Sequence, residues 1–265
     1  MLSITTPFIH VSHLMPNRAQ LIRRVTICVV GILFCISMSS FDRVLGQEDA
    51  QAQESPGQES PGQEAPPAPM PEYIDLFDGK TLEGWIQRGG KADYVVEEGV
   101  IVGRTRLGTP NSFLCTSKEY SDFELELEFR VDSEKINSGI QIRSESKPEY
   151  KDGRVHGYQV EIDPSPRAWT GGIYDESRRG WLFTLKDKPE AQGAFKLGAW
   201  NRFKIMAQGD KLKTWINDVP AADLVDNKTL KGFIALQVHS TNEAMPKEVR
   251  WRNIRIKELA DTSPQ

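Results

Sequence analysis

From Asp122 to Val131 the chain alternates without a break. Phe123, Leu125, Leu127, Phe129 and Val131 are apolar, and Glu124, Glu126, Glu128 and Arg130 are charged. Successive side chains of an extended strand point to opposite faces, so this stretch offers one face to a core and one to water. A strand of that kind belongs in an antiparallel sheet with one solvated side, not in a doubly covered parallel sheet. The glutamate row is read as that solvated side rather than as an acidic site.

Further strands follow at short spacing. Tyr94-Val95-Val96 and Val100-Ile101-Val102 flank Glu97-Glu98-Gly99, which is a hairpin signal. Residues 138–143, 157–163, 202–208, 212–216, 233–239 and 249–257 read as the others, with turn residues at Gly209-Asp210 and Asn217-Asp218. No segment keeps a long 3.6-residue period, and Ala221–Lys231 has room for one helical turn at most. Many short strands with regular turns predict an all-β sandwich or jelly roll.

The first seventy of the 265 residues decide how much chain that sandwich can use. Arg18, Arg23 and Arg24 precede an apolar run from Val25 to Met38, the layout of a secretory signal. The run is shorter than the roughly 20 residues a spanning helix needs. Cleavage is placed after Gly46, and the bulky Phe34 before Cys35 argues against a lipoprotein signal. An uncleaved anchor is the alternative. Residues 47–71 are dominated by Gln, Glu, Pro, Ala, Gly and Ser, with Glu54-Ser55-Pro56-Gly57-Gln58 repeated from Glu59. Such a stretch has almost nothing to bury and reads as an extended, disordered linker. The expected organisation is a signal over 1–46, a linker over 47–71, a folded domain over 72–259 and a tail over 260–265. The chain is expected in the periplasm or outside the cell.

The whole chain carries a net charge of −4, and losing the leader leaves 29 basic against 36 acidic residues. An acidic balance without a basic stripe argues against nucleic acid as a partner. It gives no reason for binding anionic lipid, and no stable membrane insertion is expected after cleavage. Only Cys115 remains, so no internal disulfide can form. Within Phe113-Leu114-Cys115 it reads as a buried, inert thiol.

Three strands carry polar rows opposite apolar ones. In His156–Asp163, Tyr158, Val160 and Ile162 oppose Gln159, Glu161 and Asp163. In Asn137–Arg143, Ile140 and Ile142 oppose Gln141 and Arg143. In Phe233–His239, Leu236 and Val238 oppose Gln237 and His239. One such row is ordinary surface, whereas three on one sheet face predict a groove. His156 stands on the opposite parity from Glu161, and only a bulge at Gly157 could bring it to that face.

These segments resemble a known family. Ile74-Asp75-Leu76-Phe77-Asp78-Gly79-Lys80-Thr81-Leu82-Glu83-Gly84-Trp85 looks like the opening of the 3-keto-disaccharide hydrolase domain family. The match continues through Asn137-Ser138-Gly139-Ile140 with Arg143, Gly157–Ile162, Gly171–Asp175, Trp200-Asn201, Ile216-Asn217, Ile234–His239 and Arg252-Asn253-Ile254. The resemblance spans essentially all of residues 72–259. It departs at Asn217-Asp218, where Asp replaces a usual turn glycine, and at Ser240, where the family often has Gly. The resemblance implies a concanavalin A-like jelly-roll sandwich of two antiparallel sheets, with a sugar site on the concave sheet. It also implies secreted enzymes acting on glycosides oxidised at C3. Arg143, Glu161 and His239 stand on matching motif positions as the catalytic candidates. Gln141, Gln159, Asp163, Tyr174, Asp175 and Gln237 are candidates for binding substrate.

A 3-keto group acidifies the C2 proton, so a base could take it, expel the C1 substituent and let water add to the enone. The chemistry asks for a base near working pH and a donor for the enolate oxygen. Glu161 or His239 would be base and acid, and Arg143 the stabiliser. Direct hydrolysis by the carboxylates of Glu161 and Asp163 is the alternative, since two residues along a strand lie roughly 6.6 Å apart. A sugar-binding module, with Trp169, Trp181 and Tyr174 as stacking faces, is the non-enzymatic alternative. No organic cofactor is expected. A divalent metal stays open, although Glu161, Asp163, His156 and His239 show no tight ligand spacing.

Overall fold

The computed structural model describes residues 72–260, and the expected signal, linker and most of the tail lie outside them. The chain runs β1 (Ile74–Asp75), β2 (Trp85–Gly89), β3 (Asp93–Glu97), β4 (Val100–Arg104), β5 (Ser112–Tyr120), β6 (Phe123–Val131), β7 (Ser138–Glu145) and β8 (His156–Ile162). It continues with β9 (Ile173–Glu176), β10 (Gly180–Phe183), α1 (Pro189–Ala194), β11 (Asn201–Gln208), β12 (Lys211–Ile216), β13 (Val219–Val225), β14 (Gly232–Val238) and β15 (Glu248–Glu258). One sheet has the order β13-β12-β11-β6-β15-β4-β3, with β1 on β15. The other has the order β10-β9-β8-β7-β14-β5-β2. Neighbouring strands within each sheet are antiparallel, as the sequence led us to expect.

The alternation of β6 explains the layering. Its five apolar side chains are buried with Ile140 and Ile142 of β7, Tyr158, Val160 and Ile162 of β8, and Ile234, Leu236 and Val238 of β14. Each such chain contributes about 1.5–3 kcal/mol by leaving water. The charged face meets cations on β15, with Lys257 Nζ 2.8 Å from Glu124, Arg255 2.7 Å from Glu126 and Arg252 2.6 Å from Glu128. The glutamate row is a surface of cross-strand ion pairs, as its alternation suggests.

Local turn chemistry follows the sequence. Glu98 and Gly99, at φ +50° and +79°, close the β3–β4 hairpin. Asn217 and Asp218 are also left-handed, at φ +49° and +69°, in a two-residue turn between β12 and β13. Asp218 thus adopts the conformation a turn glycine takes easily.

Two elements differ from expectation. The Ala221–Lys231 stretch begins in strand rather than in a helical turn, because β13 pairs with β12 at the sheet edge, where Pro220 can be accommodated. The larger difference is in β7, which carries one extra residue against both neighbours. Ile142 and Glu145 face Tyr158 and His156 of β8, while Gln141 and Ser144 face Ala235 and Phe233 of β14. Arg143 sits in this bulge at φ +46°. An inserted residue reverses the parity of everything beyond it.

The outer face of the second sheet has two halves. Phe113, Cys115, Val155, Phe233 and Ala235 form a small apolar cluster on one side. Burial pushes the Cys115 thiol up to about 12, consistent with an inert packing role. The other half is polar.

Candidate active site

The polar half can be built row by row. Gly139 of β7 pairs with Glu161 of β8, and Gln141 pairs with Gln159, which in turn pairs with Tyr174 of β9. On β14, Gln237 pairs with Phe113 and follows the Leu236–Ile140 pair, which sets it beside Gly139. A cleft of about 310 Å³ opens above these rows. Asn111, Asn137, Gln159, Glu161, Arg167, Tyr174, Glu176, Trp181 and His239 line it.

Glu161 is held by neutral amides. Asn137 Nδ2 donates to its Oε1 at 2.6 Å, and Gln159 Nε2 donates to its Oε2 at 2.8 Å. Its backbone is pinned as well, with its N–H donating to Gly172 O at 2.9 Å and its C=O accepting from Gly171 at 2.8 Å. Burial pushes the carboxyl up to about 7. The two amide bonds pull the other way, the charge of Asp163 raises it and that of Arg167 lowers it. A carboxyl poised near neutrality in a cleft suits proton transfer.

Arg167 is the cation at this cleft. Its Nε lies 2.7 Å from Asp163 Oδ2, and its guanidinium covers Trp169 at 4.7 Å and Trp181 at 4.9 Å. Asp163 also accepts from Ser165 Oγ at 2.7 Å, so it organises the loop that carries Arg167. Trp181 meets Tyr174 edge-on at 5.3 Å, giving the cleft an aromatic side. His239 Nδ1 is 2.8 Å from the Ser240 carbonyl, which only accepts, so this nitrogen carries the proton. Nε2 is then the nitrogen open to proton exchange.

Several candidates from the sequence therefore meet here: Glu161, His239, Gln159 and Tyr174. Gln141 stands behind Gln159 and donates to its Oε1 at 2.6 Å. Gln237 is fully buried on the same face and does not line the opening. Arg143 is not in the cleft. The bulge turns it inward, where it donates to Ser121 O and Gly209 O at 2.6 Å each and pairs with Asp122 at 2.8 Å. Asp163 supports Arg167 rather than forming an open pair with Glu161. Asp175 faces away with Tyr158, bound to Arg178 at 2.7 Å and to Arg179 at 2.5 Å, because alternation on β9 sends Tyr174 and Glu176 to the cleft. His156 stays on the opposite parity, its Nδ1 2.8 Å from Arg154 O and its ring 3.9 Å from that of Tyr150.

Asn111, Asn137, Arg167 and Glu176 line the cleft without being among the site residues expected from the sequence. Asn137 was visible as the first residue of a resembling motif, and Glu176 as the partner of Tyr174 in a Tyr-x-Glu alternation. Arg167 carried a weaker signal, four residues after Asp163 and two before Trp169. Among the described residues, no group of three or more His, Cys, Asp or Glu side chains is arranged to hold a metal ion.

Two antiparallel sheets packed face to face define a lectin-like class of fold. Known structures share it. A protein from Parabacteroides distasonis described as a candidate glycosyl hydrolase superposes with a TM-score of 0.52 at 18% identity, covering 71% of this chain and 94% of its own. A Bacillus subtilis protein of unknown function with a galectin-like fold gives 0.51 at 12% identity, over 71% and 98% of the two chains. The sequence pattern of the 3-keto-alpha-glucoside-1,2-lyase-like domain matches residues 72–257, and the chain belongs to that family. A 3-keto-disaccharide hydrolase from Bacteroides thetaiotaomicron is 30% identical over 239 residues, 71% of this chain and 78% of that protein.

Proposed function

We propose that the protein cleaves 3-keto-glycosides, 3-keto-disaccharides among them, by elimination at C1–C2 followed by hydration. Membership of the family makes it an enzyme of glycoside hydrolase type. The observation that carries the finer reading is Glu161, a buried carboxyl poised near neutrality between two amide donors in a cleft that also holds Arg167 and His239.

In this reading the Glu161 carboxylate takes the C2 proton, and the electron pair moves onto the C3 oxygen as an enolate. Arg167 is the cation placed to stabilise that charge. The pair then returns to form the C1–C2 double bond, and the C1–O bond breaks. His239 as imidazolium gives the departing oxygen its proton. Water adds across the enone, hydroxyl to C1 and proton to C2, so the net change is hydrolysis. Tyr174 and Trp181 supply an apolar side for a sugar ring.

Incubation with a 3-keto-disaccharide beside its unoxidised parent tests this. Release of the 3-keto monosaccharide from the first alone is the expected result, with deuterium from D2O entering at C2. Cleavage of the parent at a comparable rate, or product without deuterium, would exclude the elimination route. Export belongs to the same proposal and is supported by the basic-then-apolar run over 18–38. A mature protein recovered outside the cytoplasm and beginning at Gln47 is the expected finding, and one retained in the cytoplasm with its leader intact would refute it.

A further inference from the structure

The bulge that removes Arg143 from the site face puts Ser144 onto it. Ser144 is fully buried, and its Oγ lies 2.6 Å from Gln141 Oε1. The carbonyls of Ile142 and Tyr158 are farther off, at 3.2 and 3.4 Å, so the short contact is the one its proton fills. A hydroxyl that donates to Gln141 fixes which end of that amide is oxygen. Gln141 Nε2 must then point the other way, to Gln159 Oε1 at 2.6 Å. That bond fixes the second amide in turn, leaving Gln159 Nε2 to donate to Glu161 Oε2 at 2.8 Å.

Gly139 completes the arrangement. A β-carbon at this position would overlap Cγ, Cδ and Nε2 of Gln159, so only a residue without a side chain leaves the second amide its place. Gly157, at φ +138°, makes similar room for Ser144.

We propose that Ser144 is a positioning residue for the reaction, acting on Glu161 through an oriented relay of the Gln141 and Gln159 amides. Amides are symmetric in shape and opposite in polarity, so a relay set from one end delivers an N–H to the carboxylate at the other. Without Ser144 the two amides are free to turn over. A carbonyl oxygen could then face Glu161, favouring its protonated form. The other groups around Glu161 are Asp163 beyond its own strand, Arg167 in the next loop, Tyr174 and Glu176 on β9, and His239 after β14. None of these is hydrogen-bonded or ion-paired with Ser144, so changing Ser144 leaves their charges in place.

The inference rests on Glu161 being the base, but its test needs no substrate. The titration of Glu161 is followed by the 13C shift of its carboxyl in the free, full-length protein, for wild type, S144A and G139A. The midpoint is expected to move upward by about half a unit or more in each variant. An unchanged midpoint in folded S144A overturns the relay, even if the variant melts at a lower temperature, because packing alone would do that. If S144A does not fold, S144C, which keeps the size of the side chain and weakens its donor, decides by the same criterion, and G139A reports only on the Gln159–Glu161 bond. Absence of turnover on 3-keto sugars with a shifted midpoint would instead count against the proposed reaction and leave the relay standing.

Discussion

Glu124 and Glu161 lie in alternating strands of opposite sheets, each on the face turned away from the core. Burial is the largest influence on both, and it pushes both carboxyls up. For Glu124, the hydrogen bonds from Lys257 and Tyr73 and the charge of Lys204 outweigh burial, and the net shift is downward. For Glu161 the donors are neutral amides and the cation that lowers it, Arg167, is already paired with Asp163, so burial wins. An acidic row on a sheet is therefore not in itself a site. The chemistry of its partners decides whether a carboxylate is satisfied or poised.

The largest test of this contrast removes each carboxylate in turn. E161Q is expected to lower kcat on a 3-keto-glycoside by about 10²- to 10⁴-fold, the range of general acid–base contributions. E124Q is expected to leave turnover unchanged and to alter stability by on the order of 1 kcal/mol, since its ion pairs are partly buried. Equal activity of E161Q and E124Q would erase the distinction.

The two arginines extend it. Arg143 is buried, spent on Asp122 and two carbonyls, whereas Arg167 stands at the cleft. R143M removes a buried guanidinium from Asp122 and from the carbonyls of Ser121 and Gly209, and should cost roughly 3–5 kcal/mol in urea unfolding, with turnover of the folded fraction retained. A variant of full stability but no activity would place Arg143 in the reaction after all.

The smaller expected effect is on stability against pH. The folded state binds the Glu161 proton at about 7, while the unfolded chain binds it in the ordinary carboxylate range. A raised value means that the stabilising contribution is complete at low pH and is lost as pH rises through about 7. The wild type should lose roughly 3 kcal/mol or less relative to E161Q between about pH 4 and 8. Parallel stability curves for the two proteins would contradict the assignment.

Much of the fold was legible because it rests on alternation and turn chemistry. The period-two pattern over Phe123–Val131 and the Glu98-Gly99 hairpin are local signals, and both stand in the structure. Glu161, Gln159 and His239 were legible for the same reason. Arg143 was not, because one extra residue in β7 reverses parity and nothing in Ile142-Arg143-Ser144 announces a bulge. Asp175 and Glu176 exchanged places because the register of a four-residue strand depends on its neighbours. Arg167 and Asn111 reach the cleft from outside the strands, where no periodicity places a side chain. Bulge, register and loop path are set by tertiary packing, and they place Arg143, Asp175 and Arg167 where alternation alone does not.

The pH dependence of kcat/KM on a 3-keto-disaccharide bears most directly on the central claim. The account predicts a bell-shaped profile in the wild type, with a rising limb near 7 set by Glu161 and a falling limb set by His239, and loss of the rising limb in E161Q. A rising limb in the ordinary carboxylate range near pH 4, or one near 7 that survives in E161Q, would show that Glu161 is not the poised base.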